Sequence, residues 1–264
     1  MRRALFATVF ALLAGCGSAV ERSFIYYPSR RLEASPRDYG LPYRDVRLTA
    51  DDGVRLHGWY VPGRRRVTLL WCHGNAGNIS HRLENLRLIR DRLEVGVLLF
   101  DYRGYGESDG VPSEDGTYRD ARAFRAWLRS QGDGAVVYFG RSLGAAVAAR
   151  LAVEDPPAAL ILETPFTSVT AMANRTLPGA GALVQTRYDT LGLITRLRAP
   201  LLVAHGAADE VVPFEHGRAV FDAAPEPKIF FSIPGAHHND TYLVGGEAYW
   251  RAWERFLALN VPGW

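Results

Sequence analysis

Residues 135–149 read AVVYFGRSLGAAVAA, in which a valine- and aromatic-rich run meets an alanine-rich run at Ser142. The first run predicts a strand and the second predicts a helix. The residues that join them, GRSLG at 140–144, match the pattern G-x-S-x-G. This pattern is typical of a sharp strand-to-helix turn in which the serine holds a strained backbone conformation and exposes its Oγ atom. We therefore predict that Ser142 is a catalytic nucleophile.

Short apolar runs of the same kind recur along the chain, mostly separated by stretches with the spacing of amphipathic helices. They occupy residues 67–72, 95–100, 158–162, 201–204 and 229–233. Strands that alternate with helices favour an α/β fold with a mostly parallel central sheet and helices on both faces. Two earlier runs, 46–49 and 54–61, flank the turn sequence ADDG at 50–53. They predict an N-terminal antiparallel hairpin.

A serine hydroxyl is a weak nucleophile at neutral pH, so Ser142 needs an imidazole as base and a carboxylate that orients it. After a serine on such a turn, the expected chain order is acid and then histidine. Asp209, on the loop after the run 201–204, is the predicted acid. A turn-forming aspartate that caps the next helix is the alternative interpretation of this residue. Glu163, at the end of another apolar run, is its rival as the acid, and Glu210 is a weaker candidate.

Two adjacent histidines, His237 and His238, follow the last apolar run. Either could reach Ser142 from the edge of the predicted sheet. We favour His238 as the base because it directly precedes the asparagine in the sequence GAHHND at 235–240, which leaves His237 facing solvent. The two positions are so close that the sequence leaves this choice open.

Acyl transfer also requires hydrogen-bond donors for the oxyanion that develops on the substrate. The glycine-containing sequence CHGNAGN at 72–78 follows the first central strand and lets backbone N–H groups turn inward. We expect the amides of Asn75 and of Leu143, the residue after the nucleophile, to be these donors. A phosphate-binding loop is the alternative, but the segment has no Walker lysine and no G-x-G-x-x-G spacing.

The composition is that of one ordinary domain, with 264 residues, 48% hydrophobic content and a formal net charge of +3. So small a charge gives no sign of nucleic-acid binding. The chain has no H-E-x-x-H or paired-cysteine spacing, so we expect no metal and no cofactor. We expect a monomer. Cys72 lies inside an apolar run and is interpreted as a small buried hydrophobic residue.

The N-terminus has the features of an export signal: MRR at 1–3, an apolar segment at 4–14, and LAGC at 13–16. The last four residues resemble a bacterial lipobox, and this resemblance implies cleavage before Cys16 and acylation of Cys16. The alternative is a plain signal segment with an incidental cysteine. Gly17 in place of aspartate resembles lipoproteins that are exported to the outer membrane, which implies a cell-envelope protein anchored at the periplasmic face of that membrane.

These features divide the chain into a signal peptide at 1–15, a short membrane tether at 16–23 and a single domain at 24–264. Seven residues separate Cys16 from Phe24 and reach no more than about 25 Å. A lipidated protein would therefore be held close to the membrane.

With Ser142, Asp209 and His238 in this order, the chain resembles the α/β-hydrolase superfamily. The motifs narrow the resemblance to the branch that includes the fungal bud-emergence hydrolase and eukaryotic palmitoyl-protein thioesterases. They are FIYYP at 24–28, HGNAGN at 73–78, DYRGYGES at 101–108, GRSLG at 140–144, ETPF at 163–166 and GAHHND at 235–240. The departure from the branch is His237, where a glycine is common, and it puts the choice of base in doubt.

The resemblance implies a serine hydrolase that cleaves carboxylic ester or thioester bonds, including those of small or lipid-like substrates, through an acyl-enzyme. Serine aminopeptidase-like activity and acyl transfer to an acceptor other than water are alternatives within the enzymes. A lipoprotein that kept the fold for binding or scaffolding is the non-catalytic alternative. Between residues 162 and 201 there is room for one or two helices, so we expect a minimal cap over the site.

Overall fold

Strands and helices alternate along most of the chain in a computed structural model that describes residues 21–132 and 134–264. The predicted signal peptide at 1–15 and the predicted lipidation site Cys16 lie outside the described residues. The strands are β1 (Tyr27–Pro28), β2 (Arg44–Thr49), β3 (Arg55–Val61), β4 (Val67–Cys72), β5 (Ala76–Gly77), β6 (Gly96–Phe100), β7 (Ala135–Arg141), β8 (Ala159–Glu163), β9 (Leu201–Gly206) and β10 (Lys228–Ile233).

The helices fill the intervals between these strands. They are α1 (Leu83–Leu93), α2 (Glu114–Ser130), α3 (Leu143–Glu154), α4 (Val169–Thr176), α5 (Thr190–Ile194), α6 (Phe214–Ala223), α7 (Thr241–Val244) and α8 (Gly246–Asn260). The start of α2 shows why they begin where they do, since the Ser113 hydroxyl accepts the Gly116 N–H at 3.1 Å. Such a cap satisfies one of the amides that a helix leaves free at its N-terminus.

The central sheet has eight strands in the order β10-β9-β8-β7-β4-β6-β3-β2. The strands from β10 to β6 run parallel, whereas β3 pairs antiparallel with both β6 and β2. This arrangement confirms the predicted mostly parallel sheet with an N-terminal antiparallel hairpin. It also brings the carboxyl ends of six strands to one edge, where ligands bind in open sheets of this kind.

The sheet is buried on both faces, as β4 shows most clearly. Leu70 and Cys72 pack into one apolar cluster, with residues of α2 and α3, and Leu69 and Trp71 pack into the other, with residues of α1 and α8. Alternate side chains of a strand point to opposite faces. Because both faces are covered by helices, the central parallel strands are mostly apolar and do not alternate regularly with polar residues.

The connection between β8 and β9 forms the predicted small cap. It contains α4, a 3₁₀ turn at Ala180–Leu183 and α5, and none of the residues of α4 is fully buried. Among the described residues, no helix is both long enough and apolar enough to cross a bilayer.

Candidate active site

Ser142 lies at the turn between β7 and α3, with φ 52° and ψ −118°. Its N–H donates to the Glu163 carbonyl oxygen at 2.9 Å. The two glycines of the motif permit the tight packing of the turn: a Cβ on Gly140 would lie 2.3 Å from the Gly144 carbonyl oxygen, and one on Gly144 would lie 2.0 Å from the Cys72 carbonyl oxygen. The positive φ of Ser142 is the strained conformation expected from the sequence.

His238 lies on the loop after β10 and contacts both other candidate residues. Its Nε2 is 3.1 Å from Ser142 Oγ, and its Nδ1 is 2.8 Å from Asp209 Oδ2. His237 instead points to solvent, where its Nδ1 lies 3.0 Å from Glu210 Oε2. The structure therefore brings Ser142, His238 and Asp209 together and leaves His237 and Glu210 outside this chain of contacts.

Asp209 lies on the loop after β9, and its side chain is fully buried. Its Oδ1 accepts the amides of Val211 at 2.9 Å and of Val212 at 2.7 Å. The Nε2 of His205 lies 3.4 Å from Oδ2 and 3.0 Å from the Val212 carbonyl oxygen. Burial by itself raises the pKa of Asp209, but the hydrogen bonds from His205 and His238 outweigh it and lower the pKa well below its usual value. Asp209 is thus ionised at neutral pH and suited to accept the Nδ1–H of His238.

Glu163, the rival acid, is fully buried and belongs to a different set of contacts. Its Oε1 accepts the Thr241 hydroxyl at 2.7 Å and lies 3.2 Å from Arg141 Nε. Its Oε2 accepts the Tyr249 hydroxyl at 2.5 Å. With both oxygens engaged in this way, the carboxylate is not the one that pairs with the His238 imidazole.

The loop that contains the candidate oxyanion donors packs against the nucleophile, since a Cβ on Gly74 would lie 3.6 Å from Ser142 Cβ. Asn75 Oδ1 accepts the Tyr27 N–H at 3.2 Å and the Tyr105 hydroxyl at 3.1 Å. These contacts hold the loop and leave the amide of Asn75 free of a partner among the described residues. The Leu143 amide is likewise free within that part of the chain, because Leu143 is the first residue of α3.

A second histidine–aspartate pair lies at the start of this loop, where His73 belongs to the loop and Asp101 follows β6. His73 and Asp101 are fully buried, and His73 Nε2 is 3.6 Å from Asp101 Oδ1. Burial, and to a smaller extent the nearby Arg82, lower the pKa of His73 to about 3, against a hydrogen bond to the Gly74 carbonyl that raises it. Burial raises the pKa of Asp101 well above its usual value, against one amide hydrogen bond from Ile79. His73 is therefore neutral at neutral pH, and the shift of Asp101 favours its neutral form.

The described residues offer no cluster of three or more histidine, cysteine, aspartate or glutamate side chains that could hold a metal ion. Cys72 is a free, fully buried thiol at the end of β4. Burial raises its pKa, so it stays protonated and is unsuited to act as a nucleophile.

Arg141 lies next to the site and is not among the residues predicted for it. Its Nη2 donates to the His238 carbonyl oxygen at 2.7 Å, and 9% of its side chain is exposed. The signal that could have identified it is a charged residue directly before Ser142 in an otherwise apolar stretch, combined with a glutamate at the end of the apolar run at 158–162. Charged side chains are rarely buried unless they are paired with an opposite charge.

Comparison with known protein families gives one family model that matches residues 63–193. It is Hydrolase_4, which is described as serine aminopeptidase, S33.

Related sequences extend over nearly the whole chain. An uncharacterized protein of Mycobacterium tuberculosis is 40% identical over 97% of this chain and 96% of its own. The alpha/beta hydrolase domain-containing protein WAV2 of Arabidopsis thaliana is 37% identical over 92% of this chain and 89% of its own. The protein bem46 of Schizosaccharomyces pombe is 33% identical over 88% of this chain and 82% of its own.

Among solved structures, the esterase Pf2001 of Pyrococcus furiosus superimposes with a TM-score of 0.76. The match covers 90% of this chain and 98% of the esterase, with 21% sequence identity. At that identity the similarity concerns the fold.

Proposed function

Because this chain belongs to the α/β-hydrolase family, we propose that it is a serine hydrolase that cleaves carboxylic ester or thioester bonds through an acyl-enzyme on Ser142. The observation that carries the proposal is the continuous contact from Ser142 Oγ through the His238 imidazole to Asp209, with spans of 3.1 and 2.8 Å. This is the arrangement that activates a serine for nucleophilic attack.

In the first half-reaction, Ser142 Oγ attacks the carbonyl carbon of the substrate while His238 Nε2 takes the hydroxyl proton. Asp209 accepts the Nδ1–H and stabilises the imidazolium that forms. The free amides of Asn75 and Leu143 donate to the oxyanion. The intermediate then collapses, the bond to the leaving group breaks, and His238 transfers its proton to the departing alcohol or thiol.

In the second half-reaction, water attacks the acyl carbon as His238 takes one of its protons. The bond to Ser142 Oγ breaks, the proton returns to the serine, and the acid leaves.

Exposed apolar side chains on the segments that follow β9 and β10 and on the cap favour a substrate whose acyl group is apolar. Val211, two residues after Asp209, is 46% exposed, and Leu243 and Val244, which follow His238, are 54% and 48% exposed. The small cap adds Leu183, which is 84% exposed. Exposed apolar side chains on the segments that follow these strands and on the cap favour substrates with an acyl chain over compact charged ones.

The description of the matching family model favours a serine aminopeptidase as the second candidate function. A serine hydrolase of either kind uses the same nucleophile and base, so the two candidates differ in the bond that is cleaved. Hydrolysis of aminoacyl amides at a rate above that of p-nitrophenyl esters would favour this second function.

The proposed function is tested by labelling with a fluorophosphonate probe, which reacts with an activated serine. We expect the wild-type protein to be labelled at neutral pH and Ser142→Ala to be unlabelled, with turnover reduced by about 10⁴-fold or more. A screen of p-nitrophenyl esters of increasing chain length, with matched thioesters, identifies the preferred bond. Absence of Ser142-dependent labelling in the wild-type protein would contradict the hydrolase mechanism and favour a binding or scaffolding protein.

Acyl transfer to an acceptor other than water is distinguished by its products. We expect the free acid as the main product when a competing alcohol is present. A dominant ester of that alcohol would identify the protein as an acyltransferase.

We also propose that the protein is anchored to the membrane of a bacterial cell envelope through an acylated Cys16, and acts there as a monomer. Support comes from Glu21, whose carboxylate accepts the amides of Gln185 and Thr186 in the cap connection, at 3.1 and 2.6 Å. Four residues separate Cys16 from Glu21, a span of at most about 18 Å. A lipid on Cys16 would therefore keep the cap, and the site beneath it, near the bilayer.

This anchoring is tested by metabolic labelling with a fatty acid. We expect wild-type protein to incorporate the label and to fractionate with the outer membrane, and Cys16→Ser to do neither. Wild-type protein without the label would contradict the lipobox interpretation and leave the hydrolase proposal intact.

A further inference from the structure

Arg141, the residue directly before Ser142, has a buried guanidinium group that bridges two parts of the site. Its Nη2 donates to the main-chain carbonyl of His238 at 2.7 Å, across 97 positions of sequence. Its Nε lies 3.2 Å from Glu163 Oε1. The planar guanidinium thus contacts the strand that ends beside the nucleophile and the loop that contains the base.

Glu163 extends these contacts to both elements that follow the base. Its carboxylate accepts the hydroxyl of Thr241, the first residue of α7, at 2.7 Å, and that of Tyr249, in α8, at 2.5 Å. Its main-chain carbonyl accepts the N–H of Ser142 at 2.9 Å. One residue at the end of β8 therefore holds the backbone of the nucleophile directly and the backbone of the base through Arg141.

The histidine loop needs such a support, because residues 234–240 lie outside helices and strands. Asp209 holds the imidazole at one side, at Nδ1, but a hydrogen bond to a ring does not by itself define where the loop backbone lies. Arg141 holds the backbone at the other side. The loop backbone has other contacts, since the Ala236 carbonyl accepts the Ala208 amide at 3.0 Å and Glu210 Oε2 accepts the His238 amide at 3.4 Å. Arg141 adds the hydrogen bond to the His238 carbonyl, and with Asp209 it restrains the orientation of the ring relative to Ser142.

A buried ion pair is a weak source of stability, because the loss of hydration offsets most of the attraction between the charges. Apolar side chains of similar volume would stabilise the fold as well at this position. What they would not provide is a directional donor for the His238 carbonyl. The burial of Arg141 and Glu163 is therefore better explained by the geometry that they impose than by their contribution to folding.

We propose that Arg141 and Glu163 are positioning residues that hold His238 at hydrogen-bond distance from Ser142. The inference rests on the proposed hydrolase function and extends it to residues that do not touch the substrate. It predicts that loss of the two residues slows the chemical step, because a small displacement of the base lowers the rate. Substrate binding should stay nearly unchanged.

The test is the double variant R141M/E163Q, which removes both charges together and keeps a polar group for Thr241 and Tyr249. We expect kcat to fall by about 10- to 100-fold, with KM within about threefold of wild type. In proton NMR, we expect the far-downfield signal of the His238 Nδ1–H to shift or broaden. A second variant, R141K, keeps a positive charge beside Glu163 but not the planar group that spans two acceptors, and we expect an intermediate kcat.

The matched control is R103M/D120N, which removes another buried ion pair, with a contact of 2.8 Å, that has no contact with the histidine loop. We expect this variant to lose stability and to keep kcat within about twofold of wild type.

A wild-type kcat in R141M/E163Q with an unchanged Nδ1–H signal would overturn the positioning role. If the double variant does not fold, a wild-type kcat in R141K would overturn it equally. Failure of the wild-type protein to turn over esters or to be labelled at Ser142 would instead refute the proposed function. The two failures are therefore distinguishable.

Discussion

Two histidine–aspartate pairs lie at the carboxyl edge of the sheet, and each is built from the ends of two neighbouring parallel strands. Asp209 and His238 follow β9 and β10, whereas His73 and Asp101 follow β4 and β6. The first pair is in hydrogen-bond contact at 2.8 Å, and the second is separated by 3.6 Å. The residue types and the placement on the strands are the same, but the pKa values of the two aspartates are shifted in opposite directions.

The difference follows from the hydrogen bonds that each carboxylate accepts. Asp209 accepts hydrogen bonds from the imidazoles of His205 and His238 and from the Val212 amide, and these outweigh the desolvation that raises its pKa. Asp101 accepts one amide, from Ile79, and desolvation prevails. A carboxylate stays charged in the interior when hydrogen bonds replace its lost water. The charged Asp209 can therefore stabilise an imidazolium, while the shifts in the second pair favour neutral side chains at the loop that contains the candidate oxyanion donors.

The largest expected effect comes from removing the base of the first pair. His238→Ala should lower kcat by about 10⁵- to 10⁶-fold, because Ser142 then has no group to take its proton. The matched control is His237→Ala, one position away and exposed, which should change kcat by less than about threefold. Steady-state kinetics on a p-nitrophenyl ester measures both variants, and a larger loss in the His237 variant would reassign the base.

Replacing the aspartate of each pair tests whether the two pairs differ in role. Asp209→Asn should lower kcat by about 10⁴-fold, since an amide cannot stabilise the imidazolium and favours the wrong tautomer. Asp101→Asn keeps an oxygen for the Ile79 amide and should lower kcat by less than about tenfold. The same kinetic assay applies, and equal losses in both variants would show that the two pairs do not differ in role.

The pH dependence of stability should reveal the neutral pair. The pKa of His73 is about 3 in the folded protein, against about 6.5 in an unfolded chain. The unfolded state therefore protonates this histidine first, and the contribution of His73 to stability is lost as the pH falls from about 6.5 to 3, by about 1.4 kcal/mol for each unit of difference in pKa. Asp101, whose pKa is raised, has the opposite effect above about pH 4.

Urea unfolding of Asp101→Asn, which removes the opposing titration, measures this loss at a series of pH values, and the double variant H73Q/D101N should flatten the curve in that range. Asp209 acts in a different window, because its folded-state pKa is lowered. Its contribution is present above about pH 4, the usual pKa of an unfolded aspartate, and is lost below it. A curve that is flat between pH 6.5 and 4 in the Asp101→Asn variant would contradict a neutral, buried His73.

The smallest expected effect is a gain in stability on neutralising Asp101. Its raised pKa means that the unfolded state ionises first as the pH rises, so the aspartate lowers stability at neutral pH. Asp101→Asn removes this penalty and should raise the free energy of unfolding at pH 7 by about 1 kcal/mol or more. The gain should vanish below about pH 4, where aspartate is protonated in both states. A gain that persists at low pH would point to packing and not to titration.

Much of the fold follows from patterns within a few residues of one another. The run 135–139, the turn at Ser142 and the alanine-rich helix after it are predictable because strand and helix preferences and the need for glycine at a tight turn are local properties. The contacts of Glu163 and Arg141 are not local. Arg141 meets the His238 carbonyl across 97 positions, and no pattern near either residue specifies that meeting.

The sequence by itself determined the order of strands and helices, the turn that exposes Ser142, and the short set of acids and histidines that could serve it. Only the tertiary structure showed that His238 and not His237 contacts Ser142, that Asp209 and not Glu163 contacts His238, and that the pKa values of Asp209 and Asp101 are shifted in opposite directions. The reason is physical: adjacent residues in a loop point in different directions, and their direction and proton state depend on groups supplied by distant strands. Asp209 lies 29 positions before His238, and the two become neighbours because β9 and β10 pair in parallel.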